Sequence, residues 1–263
     1  MNDYQKALYD EMISFYLITN GERGELGRIR SLMGSLVRKA RAAIPAELDD
    51  KEKIHQLLQL FYGDWGFHCD PEHYFELQNL YLNHVLETHT GMPVSLGAIL
   101  LYLADSLKLP IYPVNFPTQL ILRAEVGDEA VFIDPWNGHY VSLHYLQQLY
   151  EGAFGFTAKL TAEELKPAKT ADLLARFNQL AKNALIREEH NDEAFRFINV
   201  LLRRHPDDPY EIRDRGLVLA QMGAYHAAVE DLQYFIERCP QDPTSMLLTA
   251  QMAELKQAYY DLH

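Results

Sequence analysis

Cysteine is nearly absent from this chain: there are two in 263 residues, Cys69 and Cys239, far apart in sequence. Such a pair is no disulfide framework and suits a reducing cytoplasm. Long apolar runs are missing as well. The longest, Gly97 to Ala104, falls far short of the about 20 residues a membrane span needs. The opening MNDYQKALYDEM lacks a basic stretch followed by an apolar one, so no secretory signal is expected. Positive charge is also scarce, with 24 Lys and Arg against 37 Asp and Glu and a net charge of −13. Nucleic-acid binders neutralise phosphates with Lys and Arg, and anionic membranes attract the same residues, so neither partner is expected. A helix-turn-helix with a basic recognition helix is lacking too, which argues against direct action on DNA. What the composition supports is an acidic, cytoplasmic, globular protein. Hydrophobic residues make up 48% and charged ones 23%, enough to bury a core in each half of the chain.

The C-terminal third carries an internal repeat. HPDDP (205–209) rhymes with CPQDP (239–243), and Ala194 with Ala228, always 34 residues apart. That period is the length of a tetratricopeptide helix-turn-helix unit. In the second unit Gly216 is small where the two helices approach, Gly223 ends the first helix, and Leu232 and Phe235 face the core. In the first unit Lys182 and Glu189 stand at the places of Gly216 and Gly223, while Ala194, Ile198 and Leu201 keep the register. A last helix, Thr244 to Leu262, would cap the stack. Two repeats are fewer than the three usual for independent stability, so the array is expected to dock on the domain before it. Arg213 and Arg215, with Glu211 and Asp214, are read as the most exposed residues of their helix, a candidate partner-binding face or a solvated one.

Upstream, apolar positions recur at helical spacing through residues 3 to about 62, giving three helices. A Gly- and aromatic-rich stretch, Phe61 to Tyr74, reads as a packed loop. Tyr81 to Glu87 reads as a short helix stopped at Gly91, and Val94 to Lys108 as a helix apolar nearly all round, hence central and buried. Beyond Pro110 the period becomes that of strands: 111–116, 119–123 and 130–134, the last two joined around Gly127-Asp128. A helix over 142–150 follows. The whole is α+β: N-terminal helices and a core with a small antiparallel sheet over 1–156, a linker over 157–170, and an all-α repeat array over 171–263.

A Gly-x-Pro loop leading into a buried helix, then a strand ending in a polar residue, then a strand ending in Asp, resembles the order of a papain-related, transglutaminase-like core. More specifically, FYGDWGF, YLNHVLETHTGMPVSLGAILLYLADSLKLP, FPTQLILR, FIDPWNG and PYEIRDRG resemble the SirB-type bacterial family. That family joins such a core to tetratricopeptide repeats, and the likeness runs from about residue 50 to the C-terminus. The resemblance implies a Cys at the helix start, a His on the next element and an Asp orienting it. Here Ser95, Gln119 and Asp134 occupy or lie nearest those places. Glutamine cannot take a proton near neutrality and an unactivated serine is a weak nucleophile, so the triad reads as degenerate.

The expected function is therefore a non-catalytic interaction or regulatory protein that binds a protein or peptide partner and needs no cofactor. The alternative is a serine hydrolase or acyl transferase using Ser95 with a displaced histidine, His139 being the nearest in sequence to Asp134. Cys69 with His68 and His73 offers another nucleophile, or with Asp70 a metal cluster. The spacing in HCDPEH suits no regular closed site, and no metal is expected. Ser95 and Asp134 also have plain structural readings, as a first-turn helix residue and as a carboxylate bonding its own loop.

Overall fold

The computed structural model describes residues 4–21 and 23–261. Two compact units are present: Met1–Leu17 with Glu22–Leu180, and Ile18–Gly21 with Ala181–His263. The first unit begins with helices α1 (Tyr4–Asn20), α2 (Arg23–Ala43) and α3 (Asp50–Leu58). Asp49 caps α3 in a reciprocal box with Glu52, which supplies the acidic start read from the sequence. Gln59–Asp64 continues α3 as a single π-helical turn. Strand β1 (His68–Cys69) then pairs in parallel with β2 (Thr90–Gly91), on either side of α4 (Leu82–Thr88). The reading of 61–74 as loop therefore misses a π turn and a strand, both too short to impose a period. His89, at φ 60°, ends α4, so its stop is His89 and not Gly91.

Helix α5 (Pro93–Leu107) is buried from Pro93 to Leu101 apart from Val94. Each Leu or Ile it hides contributes roughly 1.5–3 kcal/mol, which makes it the spine of the unit. It packs against α2, α4 and two strands of a four-stranded antiparallel sheet. The sheet runs β3 (Ile111–Asn115), β4 (Leu120–Val126), β5 (Glu129–Ile133) and β6 (Tyr140–Val141) in sequence order. The β4–β5 hairpin turns at Gly127, at φ +62°. Ser142 caps α6 (Leu143–Phe154) by accepting from the Tyr145 amide. Within 157–170, Leu165 joins the apolar cluster of Val114, Phe116, Ile121 and Leu146, and the Ala168 amide donates to Pro113 O. That stretch is thus bound to the core of its own unit. The first unit is α+β, as its pattern implies.

Helices α7 (Thr170–Arg187), α8 (Asn191–Arg204), α9 (Pro209–Gln221), α10 (Tyr225–Arg238) and α11 (Pro243–Asp261) follow. The boundary between units falls inside α7, after Leu180, so 171–180 belong with the core. In the second unit each of α8 to α11 packs on its neighbour in sequence. At Gly216 an added Cβ would lie 2.9 Å from Leu232 Cγ, so the α9–α10 approach admits only glycine. Glu189, at φ 58°, makes the left-handed turn that Gly223 makes at φ +78° one repeat later. Lys182 is fully buried, its Nζ 2.7 Å from Glu211 Oε1 and 2.6 Å from Asp214 Oδ2. The first repeat therefore replaces a small residue by a buried ion pair with α9, the first helix of the next repeat. No helix among the described residues is long and apolar enough to cross a membrane.

Candidate functional site

Strands β4 and β5 are neighbours in the sheet, and their ends bring two of the three triad positions together. Gln119 Nε2 donates to Asp134 Oδ2 at 3.1 Å. Asp134 is buried, and its other oxygen accepts from the Trp136 amide at 2.9 Å. Its main-chain N–H donates to His139 O, and its carbonyl accepts from the Gly138 amide at 2.8 Å. The Asp-Pro-Trp-Asn-Gly loop is thus wound around the carboxylate, while one oxygen is left for Gln119. Because Asp134 fixes the Nε2 end, the Gln119 Oε1 atom is free of protein donors among the described residues.

Ser95 does not join them. Its hydroxyl is fully buried and closes the start of α5, accepting from the Met92 amide and donating to Met92 O, both at 3.0 Å. This is the first-turn role, with every bond internal. The residues of that turn that line open space are Pro93 and Val94, neither of which has a nucleophilic atom. His139 is exposed and borders a separate depression with His55, Tyr62 and Tyr140, which Ser95 does not line.

Cys69 is also withdrawn from chemistry. Strand alternation turns His68 outward and Cys69 inward. Burial, with a smaller contribution from the nearby Asp134 charge, pushes the thiol up to about 12. His68 Nδ1 lies against Gly66 O, and His73 Nδ1 pairs with Asp70 Oδ2 at 2.8 Å, so neither imidazole serves the sulfur. Asp70 is held below its usual range chiefly by that His73 bond. Among the described residues no group of three or more His, Cys, Asp or Glu is placed to hold a metal ion. A thiol so raised stays protonated and inert. Iodoacetamide at mildly alkaline pH is expected to modify Cys239 and spare Cys69 in the folded chain; equal rates would refute the burial argument. A raised acid also sets a pH dependence. Its contribution is fully present below the ordinary thiol value of about 8.5 and is lost as pH climbs from there towards about 12.

Beside Gln119 lies a cavity of about 180 Å³. Its walls are mostly apolar, among them Val94, Leu120, Leu173 and Phe177, with Tyr74 on one side. Arg176, on α7, is its one charged lining residue among those described. Arg176 Nη1 donates to Asn115 Oδ1 at 3.1 Å and to Phe116 O, and Nη2 to Pro117 O at 3.1 Å. These bonds tie α7 to the turn that presents Gln119. Burial lowers the Arg176 pKa from its ordinary value. The sequence reading passed this residue over, although it sits on the Leu173–Phe177–Leu180 stripe of α7, where a charged side chain is out of place.

In the repeats the exposure expected for four α9 side chains does not hold. Asp214 is buried and accepts from Arg213 Nε at 2.9 Å and from Lys182. Arg213 also lies over the rings of Tyr210 and Phe235. Arg215 forks Asp231 at 2.6 and 2.7 Å, linking α9 to α10. Glu211, raised by burial, points at Lys182. The spacing of charges along α9 looked like a solvated face because the partner helices, α7 and α10, are distant in sequence.

The two-part architecture agrees with the family models that match the chain. A model of the transglutaminase-like superfamily matches residues 28–179, and one of the tetratricopeptide repeat matches 181–253. No solved structure matches. A UPF0162 protein of Pasteurella multocida is 64% identical over 100% of both chains. One of Haemophilus influenzae is 60% identical over 97% of this chain and 96% of its own. The protein SirB1 of Salmonella typhimurium is 40% identical over 97% and 93%. The chain therefore belongs to the transglutaminase-like superfamily, in the SirB1 and UPF0162 group of bacterial proteins, and carries tetratricopeptide repeats behind its core.

Proposed function

We propose that this is a non-catalytic, cytoplasmic interaction protein whose transglutaminase-like core binds where its catalytic relatives react. One observation carries the reading: the side chain held by Asp134 at the base position is an amide, Gln119. An amide neither takes nor gives a proton near neutrality, and the helix start beside it offers Val94 and a sealed Ser95. General-base assistance is commonly worth about 10²–10⁴ in rate, and neither it nor a nucleophile is available. Tetratricopeptide repeats generally mediate protein–protein contacts, which fits a protein or peptide partner. Arg215 is read as a brace between α9 and α10 through Asp231, and Arg213 as packing over Phe235 of α10 while it bonds Asp214 on its own helix.

The test is an assay of the full chain for amine incorporation, peptide cleavage and ester hydrolysis, alongside fluorophosphonate labelling. The expected result is no turnover above buffer and no covalent label. Turnover that disappears on Ser95→Ala or Cys69→Ala would sink the reading.

A further inference from the structure

The cavity beside Gln119 has a chemistry of its own. A guanidinium carries five N–H donors, and protein oxygens take both on Arg176 Nη1 and one on Nη2. Nε and one donor on Nη2 are left without a protein acceptor among the described residues, and the Nε/Nη2 edge of a guanidinium is one that meets a carboxylate with two parallel bonds. Among the described residues no carboxylate pairs with Arg176, and none lines the cavity. This is a single positive centre in a chain whose net charge is −13. Next to it stand apolar walls and Gln119, whose Oε1 is left without a protein donor among the described residues while Asp134 holds Nε2. A volume of about 180 Å³ is below the roughly 300–1,000 Å³ of drug-sized ligand sites, and it suits one apolar side chain.

We propose that this cavity captures the C-terminal residue of a partner polypeptide. The carboxylate sits on the Nε/Nη2 edge of Arg176, the last side chain fills the apolar pocket between Val94 and Leu173, and the last peptide N–H donates to Gln119 Oε1. A free amino acid shares the carboxylate but adds an ammonium group, for which the cavity offers no counter-charge; an acylated residue has the single negative charge that matches. The assignment rests on the non-catalytic reading for its biological sense, not for its chemistry.

Fluorescence anisotropy of the full chain with an N-terminally labelled pentapeptide Gly-Ser-Gly-Ser-Leu tests it. The free-acid peptide is expected to bind at least about tenfold tighter than its C-terminal amide, and than the same peptide ending in Asp. N-acetylleucine competes and leucine does not. Arg176→Lys keeps the charge but loses the fork, and is expected to cost about tenfold. Leu173→Trp fills the pocket and also weakens binding; circular dichroism confirms that both variants fold. Equal affinity for acid and amide, leucine competing as well as N-acetylleucine, or no effect in either folded variant would overturn the proposal. Cleavage of the bound peptide with the acid preference intact upholds this site and overturns the non-catalytic reading. Loss of the preference without turnover overturns the site alone.

Discussion

Replacing Lys182 by alanine is expected to destabilise the repeat unit by about 3–5 kcal/mol, the usual cost of removing one partner from a buried ion pair. The Lys182 side chain is fully buried, and it meets Glu211 and Asp214, whose side chains are 16% and 6% exposed. Without the ammonium, Asp214 keeps only Arg213 of these partners, and Glu211 faces a site that already raises its pKa through burial. Glu211 Oε2 is itself buried without a hydrogen-bond partner. The sign of the pH dependence follows. A carboxyl whose folded pKa lies above its unfolded value contributes stability below the unfolded value, about 4.3 for Glu. That contribution is lost as pH rises through the folded pKa. The gap between wild type and Lys182→Ala should thus be widest at neutral pH and narrow on acidification. Urea denaturation across that range, with hydrogen exchange on α9, measures it. Lys182→Met keeps most of the buried stem and separates lost packing from lost charge. A cost under about 1 kcal/mol at neutral pH, typical of an exposed pair, would show that the pair is not desolvated.

That buried lysine marks where sequence reading reaches its limit. The period of 34 and the residues on the α8 and α10 core faces, Ala194, Ile198, Ala228 and Leu232, were legible because helix packing repeats a local pattern. The meaning of Lys182 was not, since its two partners lie 29 and 32 residues on and no periodicity connects them. The same division runs through the core. The buried α5 and the strands announced themselves by burial on all sides and by alternation. The two-residue strands β1, β2 and β6 did not, because elements so short carry no period. At the site, Gln119 and Asp134 could be paired from the order of elements, and the sheet brings them together. Ser95 is the residue of nucleophilic type nearest the helix start. Which residues of a first turn look outward depends on the rotation of the helix, and here they are Pro93 and Val94. Arg176 was invisible for a related reason: it enters the site from 57 residues beyond Gln119, on a helix assigned by pattern to the repeats.

Gly138→Ala is the second substitution expected to be costly, and it strikes the loop that holds Asp134. Gly138 sits at φ +74°, where a side chain costs roughly 1–2 kcal/mol. A Cβ there would also stand 2.3 and 2.4 Å from two carbons of the Tyr62 ring. The ring cannot easily yield. Its hydroxyl donates to Pro135 O at 2.6 Å, and it packs edge-on against Phe61 with centroids 5.0 Å apart. Overpacking of this kind adds about 1–3 kcal/mol, for a total of roughly 2–5 kcal/mol. Gly127→Ala is the control: φ is +62° but nothing lies within 4 Å, so only the backbone cost remains. Tyr62→Ala in the Gly138→Ala background should return the steric part, and a double-mutant cycle reads the coupling between them. Thermal and urea melts of the four variants measure these differences. The consequence for the site follows from the Gly138 amide, which donates to Asp134 O at 2.8 Å. A loop pushed off Tyr62 carries Asp134 with it and releases Gln119 Nε2, so the amide beside the cavity can turn and its fixed orientation is lost. Gly138→Ala should therefore weaken capture of the free-acid pentapeptide while Gly127→Ala leaves it unchanged. Equal costs for the two alanines in both stability and peptide affinity would show that Tyr62 does not brace the loop.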